Sequence, residues 1–478
     1  MLVDLRLSKN AAERSKDGAL AATSAVVRAL ADGAVDASSV RVECDWIQYR
    51  NNFREPIALR QVLGRRRRGT EVAIDLRQLE KLDADAALSS VLASDPVGVV
   101  HLEPWLPLSE SCIWRFNALY WSELALWEEV SGKGYEQALP GGASGGTDTE
   151  ANRDLILGLF KVWDGLAQRR SLPEQLTVLE LGVGNGNQAR TWLEQFVRID
   201  HEMGTDYYRR LHYLMGDYSK HVLDLARANV SEFLDRTSTL ALDAARPSDT
   251  LRFLEKKIFF VYISNVYDNL PTDEIVCLDD ELYRVEVRAF LPASRVASLV
   301  SRLGSKADIS DLVAKLLKFG PTLLAETSEP FSDPVDAGRF WQEVWSGLRL
   351  EERYVPLGAL DLYRVCEGVS AELIDPCVDG FGDVRFHMSN GAAASFVDTL
   401  PLLHPLGSLV CHDLFVTDLD QYRVGFRGPG KYDGSVVNWV NGPVLAAIAS
   451  RFGYHATFDA MEHGSNRRIV TMTARSRD

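Results

Sequence analysis

The residues best suited to chemistry gather in Thr177-Val-Leu-Glu-Leu-Gly-Val-Gly-Asn-Gly-Asn187. Glu180 precedes Gly182, Gly184 and Gly186, three glycines spaced at twos. Glycine lets a ligand come close to the backbone, and the start of a following helix offers N–H groups with no partner inside the helix. Two phosphate binders are excluded. No Gly-Lys-Ser/Thr follows, and the spacing is not G-x-G-x-x-G. The alternative is a plain strand-to-helix turn.

Three more groups of polar residues close apolar runs. Asp217, with Tyr218 beside it, ends Leu211-His-Tyr-Leu-Met-Gly-Asp217. A carboxylate there can accept two hydrogen bonds from a diol or cap the next helix. Asp243 and Ala244 end the run that starts at Thr237. Ser264, Asn265, Tyr267 and Asp268 follow Ile258–Ile263, and His412 and Asp413 follow Pro405-Leu-Gly-Ser-Leu-Val-Cys411. His412 is the first candidate general base and Asp268 the second. A histidine at a strand end can equally be a hydrogen-bonded structural residue.

The elements that position these groups read as a parallel α/β sheet. Leu176–Leu181 is predicted as a buried strand, followed by a helix over 188–199 that carries Trp192, Leu193 and Phe196 on one face. Leu211–Asp217 and the run ending at Asp243 are predicted as the second and third strands, with a helix over 221–234 between them. The unbroken apolar run Ile258–Ile263 suits a central strand covered on both faces. In an open α/β sheet the ligand crevice lies outside the carboxyl ends of the strands, where all these polar groups fall.

The pattern E-x-G-x-G-x-G resembles motif I of the class I S-adenosylmethionine-dependent methyltransferases. The resemblance implies a Rossmann-like seven-stranded α/β sheet with a closing antiparallel hairpin, and S-adenosyl-L-methionine as cofactor. It assigns the cofactor to Glu180, Gly182, Gly184, Gly186, Asp217, Tyr218, Asp243, Ala244 and Asn265. Asp217 would hold the ribose hydroxyls; Asp243 and Ala244 would meet the adenine. Asn265-Val-Tyr-Asp-Asn-Leu-Pro271 is similar to the Asn-Glu-Phe-x-Asp-Ala-Leu-Pro stretch of the MidA-like methyltransferases, and Tyr283-Arg-Val-Glu-Val-Arg-Ala289 to a strand that follows it there. That family includes the mitochondrial complex I assembly methyltransferase and methylates a protein arginine. Here Val266 stands where the family has Glu, and one residue between the aromatic and the Asp is missing.

The rest of the 478-residue chain frames this reading. A net charge of −15 disfavours general affinity for nucleic acid. No run is apolar enough to span a bilayer and no signal peptide opens the chain, so no membrane and a cytoplasmic location are expected. The six cysteines lack C-x-x-C spacing, so no metal is expected. Residues 1–139 read as an accessory α/β unit and candidate dimer arm, with Arg65-Arg-Arg-Arg68 as a solvated loop. Cys112–Val130 reads as an aromatic helix packed as core. Residues 139–147, rich in Gly, read as a linker or lid, and Asp148 or Thr149 as the cap of the next helix. The cofactor domain is predicted over 140–291 and 401–478. Residues 292–400 are predicted as an inserted, mostly helical substrate cap. The loop with Arg423, Arg427 and Lys431 is expected to be mobile. A helix over 438–452 and a strand pair around Glu462-His-Gly-Ser-Asn466 complete the chain. The function expected is methyl transfer to an O or N atom of a small organic acceptor, in specialised metabolism. A MidA-like peptide or protein methyltransferase and a non-catalytic scaffold are the alternatives.

Overall fold

The computed structural model describes residues 4–31, 40–47, 49, 51–64, 68–79, 83–92, 98–134, 149–304, 308–327, 330–358, 360–374, 382–425, 428–460 and 469–477. The expected lid over 139–147, Asp148, Arg65–Arg67 and the turn Glu462–Asn466 lie outside the described residues. Two sheets organise the rest.

The first sheet has seven strands. In chain order they are Leu176–Leu181, Leu211–Asp217, Thr237–Ala241, Ile258–Ser264, Leu403–Asp413, Tyr454–Ala460 and Val470–Ser476. Their order in space is third, second, first, fourth, fifth, seventh, sixth. The first five run parallel. The seventh is antiparallel to both of its neighbours. Leu176–Leu181 and Ile258–Ile263 are buried throughout, as strands covered on both faces must be.

Helices cover each face. Asn187–Met203 buries Trp192, Leu193, Phe196 and Ile199 against one face, and Thr149–Gln168 packs on it with Phe160 and Trp163. Gly204, in the left-handed region, ends Asn187–Met203. On the opposite face Asn390–Thr399 and Gly442–Arg451 close over Leu179, Val261 and Leu409.

The second sheet joins two parts of the chain that the sequence reading keeps apart. Along it run Asp4–Leu7, Val40–Asp45, Arg68–Asp75, Ile57–Leu63, Arg349–Pro356, Glu281–Leu291, Glu274–Leu278 and Val384–His387. Two short strands, Val100–His101 and Leu106–Pro107, pair onto Glu281–Leu291. Glu274–Leu291, expected in the cofactor domain, therefore belongs to this sheet. Cross-strand charge pairs hold it there: Arg288 Nη2 lies 2.7 Å from Glu351 Oε2, and Arg353 Nε donates to Glu286 at 2.9 Å.

The region over 292–400 begins as expected, with helices Ala293–Leu303, Ile309–Thr327 and Pro334–Gly347. Gly320 (φ 77°) and Pro321 kink the second of these. It then departs from a helical cap, because Arg349–Pro356 and Val384–His387 are strands.

The aromatic helices form core. Trp114, Phe116, Trp127, Trp341 and Trp345 are buried in one cluster. Of the segment expected to be a mobile loop, Arg427 lies outside the described residues, and the part around Lys431 is locked into that cluster. Gly430–Tyr432 and Ser435–Val437 form a hairpin. Buried Lys431 Nζ donates to the carbonyls of Trp345 and Leu348, each at 2.7 Å. Asp433 Oδ2 accepts from Tyr120 Oη at 3.1 Å and Trp127 Nε1 at 2.9 Å. Among the described residues no helix is long and apolar enough to cross a membrane.

Candidate functional site

The order in which strands are added reverses between the first and fourth strands, which lie side by side and parallel. Loops leaving the two strands at such a point diverge and leave a crevice. The glycine turn leaves the first strand, and Asn265–Asp268 leaves the fourth.

Backbone conformation sets the shape of the turn. Gly182, Gly184 and Gly186 have φ of 74°, 57° and 81°, a region costly for other residues. The amides of Gly182 and Val183 both donate to the Gly216 carbonyl, at 2.8 and 3.2 Å. The turn is thereby fastened to the end of the second strand. A Cβ on Gly182 would stand 2.3 Å from Val266 Cγ2, and one on Gly186 would stand 2.8 Å from the Ala226 backbone. Glycine is thus required at both positions by close packing, whatever binds there.

Asp217 is half-buried at the end of the second strand. Its Oδ2 accepts from the Gly184 amide at 3.3 Å and its Oδ1 from the Ser219 amide at 3.0 Å. Burial lifts its acidity constant to about 6, although the amides of Ser219, Gly184 and Tyr218 pull it back. The helix cap falls instead to Ser219, whose Oγ accepts from the Val222 amide at 3.3 Å. Asp217 is therefore the carboxylate that tethers the glycine turn. Tyr218 beside it is exposed.

The third-strand residues lie farther along the same rim. Leu242 N donates to the Asp217 carbonyl at 3.0 Å. Asp243 is exposed, beyond the end of Thr237–Ala241, and its Oδ1 accepts from the Ala245 amide at 2.8 Å. Ala244 sits in the same turn. Across the crevice, Asn265 is exposed with φ 52°, and its amide donates to the His412 carbonyl at 2.9 Å.

The other sequence candidates are turned inward. Glu180 is fully buried on the sheet face packed by Asn187–Met203. Its Oε2 accepts from Tyr213 Oη at 2.6 Å, and burial together with the charge of Asp217 raises its acidity constant to about 8. His412 is buried too. Its Nδ1 is 2.8 Å from Thr471 Oγ1, and its ring centroid is 5.3 Å from that of Tyr262.

Asp268 is buried against Asp413. Desolvation and the Asp413 charge push its acidity constant well up. Asp413 has no exposure at all, and burial lifts its constant to about 6. Its Oδ2 accepts from the amides of Val266, Tyr267 and Asp268, and its Oδ1 from Leu414. Asp413 thus fixes the whole loop after the fourth strand. Its place at the strand end is legible in the sequence, but not its reach across to the three amides of Val266, Tyr267 and Asp268. Tyr213 and Tyr262, which surround Glu180, were hidden in the sequence among apolar strand residues.

No protein-family model matches the chain, and no curated protein matches it. Several solved structures align with it at low identity. An uncharacterized protein from Burkholderia thailandensis is 13% identical, with 78% of this chain and 87% of that chain covered, at a TM-score of 0.41. A second member of its superfamily from that organism, bound to S-adenosylhomocysteine, is 12% identical, with 78% and 88% covered, at 0.44. The 1,6-didemethyltoxoflavin-N1-methyltransferase of Burkholderia thailandensis is 10% identical, with 80% and 95% covered, at 0.30. Likeness at this level assigns no role to any residue of this chain.

Proposed function

We propose that the chain binds S-adenosylmethionine at the glycine turn and transfers its methyl group to a small organic acceptor. One observation carries this reading. At the reversal point of a parallel sheet, a turn of three positive-φ glycines is tethered through Gly184 to the carboxylate that ends the neighbouring strand. A reversed seventh strand between the fifth and sixth agrees with it, because a plain dinucleotide fold ends without that hairpin.

The residues present fit the group. The turn offers backbone without Cβ atoms, and Asp217 offers acceptor oxygens at the rim for a vicinal diol. Asp243, Ala244 and Asn265 occupy the same rim. When bound, the sulfonium supplies an already activated methyl. The protein's task is then to align the acceptor and exclude water.

The two expected bases do not stand open to an acceptor. His412 is buried against Thr471 and Tyr262, and Asp268 is sealed with Asp413. Their positions favour an acceptor atom that needs no deprotonation by the enzyme, such as a carboxylate oxygen. His412 and Asp268 then hold the loops that shape the crevice.

The acceptor class is tested by incubating the protein with methyl-tritiated S-adenosylmethionine and a cell extract split into small-molecule and macromolecular fractions. Label in an extractable small molecule is the expected result. Label confined to protein would replace this reading with the peptide-directed one.

A further inference from the structure

The second sheet curls until its first and last strands approach each other. Arg6, on Asp4–Leu7, and Arg41, on Val40–Asp45, reach Asp383 beside Val384–His387, at 3.3 and 3.5 Å. These ion pairs span a seam where no backbone ladder joins the described strands. A cavity of about 290 Å³ opens there. At ~30 Å³ per water it has room for roughly ten waters, the scale of a small metabolite.

Its wall mixes charged residues with apolar ones such as Leu7, Val276, Leu278 and Val384. Arg6, Arg41 and Arg385 line it, interleaved with Glu43, Glu71 and Asp383, and Arg41 also lies 3.3 Å from Glu71. Arg423 and Asp45 add one more of each sign. Beneath this wall the charges are knitted together. Arg60 Nη1 contacts Glu43 at 2.6 Å and Glu71 at 2.8 Å, and Arg60 Nε contacts Glu352 at 2.6 Å. Arg385 pairs with Glu274 and with Glu352. Tyr354 Oη joins the two halves, accepting from Arg60 at 3.0 Å and donating to Glu71 at 3.0 Å. Arg41 is buried, and its Nη1 has no hydrogen-bond partner among the described residues.

Such a network is a poor source of stability. Removing this many charges from water offsets most of their mutual attraction, and an apolar filling of equal volume does as well or better. Small curled sheets and barrels either fill their interior with side chains or hold one ligand. Here a charged interior surrounds an open volume, the combination a polar ligand requires. The wall carries equal numbers of the two signs. Because these charges already pair with one another, a ligand bearing both signs joins the network without unbalancing it, whereas a simple anion or cation adds an excess of one sign.

We propose that this cavity, apart from the methyl-donor crevice, is a binding site for a small zwitterion of amino-acid size, its carboxylate at Arg41 and its ammonium at Glu43. The proposal does not depend on the methyltransferase reading.

The test is a thermal-shift and calorimetric screen of the full chain with the twenty amino acids and glycine betaine, with propionate and propylamine as probes carrying one charge each. At least one zwitterion is expected to raise the melting temperature and bind, and neither single-charge probe to match it. In Glu43→Gln the affinity is expected to fall at least about tenfold, the scale of one charge-assisted hydrogen bond. Each variant is compared with its own ligand-free melting, so a general loss of stability does not imitate the effect. Crystals soaked with the best zwitterion should show it between Arg41 and Glu43. No response to any zwitterion would overturn the proposal. So would an equal response to propionate alone, or unchanged affinity in Glu43→Gln.

Discussion

Asp217 is asked to do two things at once: hold the glycine turn and accept from a ligand diol. Both need the ionised carboxylate, yet burial has lifted its constant to about 6. The sign follows. A carboxyl whose folded constant lies above its ordinary value favours the protonated form in the folded protein. Its contribution to stability is greatest at acid pH and is lost as pH rises through about 6. Ligand affinity should run the other way. Titration of S-adenosylhomocysteine from pH 7.5 to 5 is expected to show affinity falling below about pH 6, towards tenfold per unit, and a flat profile would remove Asp217 from the contact.

At Gly182 two costs combine, a left-handed backbone and a Cβ 2.3 Å from Val266 Cγ2. Gly182→Ala should destabilise by about 2–5 kcal/mol, the sum of backbone strain and overpacking. Adding Val266→Ala should return the overpacking share, so the double variant melts higher than Gly182→Ala alone. Equal melting of the two would show that backbone strain is the whole cost.

At the scale of elements, the hairpin of Gly430–Tyr432 and Ser435–Val437 joins the C-terminal part of the chain to the aromatic helices. Asp433 at its tip receives Tyr120 Oη and Trp127 Nε1. Asp433→Ala leaves both donors without that acceptor in an apolar setting and should cost about 2–4 kcal/mol. Tryptophan emission should shift to the red as Trp127 loosens, and emission and melting indistinguishable from the parent protein would show the hairpin to be an ornament. This anchoring was not legible in the sequence, because Gly, Arg and Lys in a short stretch look the same in a mobile loop and in a pinned hairpin. The fourth strand is legible because a continuous apolar run ends in polar residues, and the first because Leu176–Leu181 runs straight into the glycine turn. The expected third strand was placed about two residues too long, since the turn holding Asp243 continues the run without a break in composition.

For the molecule as a whole, the two sheets differ in how openly the sequence declares them. The central strands of the seven-stranded sheet are buried on both faces, so they stand out. The curled sheet points Arg41, Glu43, Arg60, Glu71, Glu352 and Arg385 into its interior. Those charges erase the alternation that marks a half-buried strand, and its partners lie hundreds of residues apart. Hence residues 1–139 and 292–400 read as separate units although Ile57–Leu63 and Arg349–Pro356 are neighbours. A chain beginning at residue 140 would lose six strands of that sheet and leave Glu352 without Arg54 and Arg60. It should fail to give a cooperative melting transition, and a stable, cooperatively folding protein from residue 140 onward would show the N-terminal part to be a dispensable appendage.

The most direct test is calorimetric titration of S-adenosylhomocysteine into the 478-residue chain and into Asp217→Ala at pH 7.5. The account predicts binding by the parent protein and a loss of about ten- to a hundredfold in the variant, the scale of hydrogen bonds to a charged group. No binding by well-folded parent protein, or equal binding by both, would contradict it.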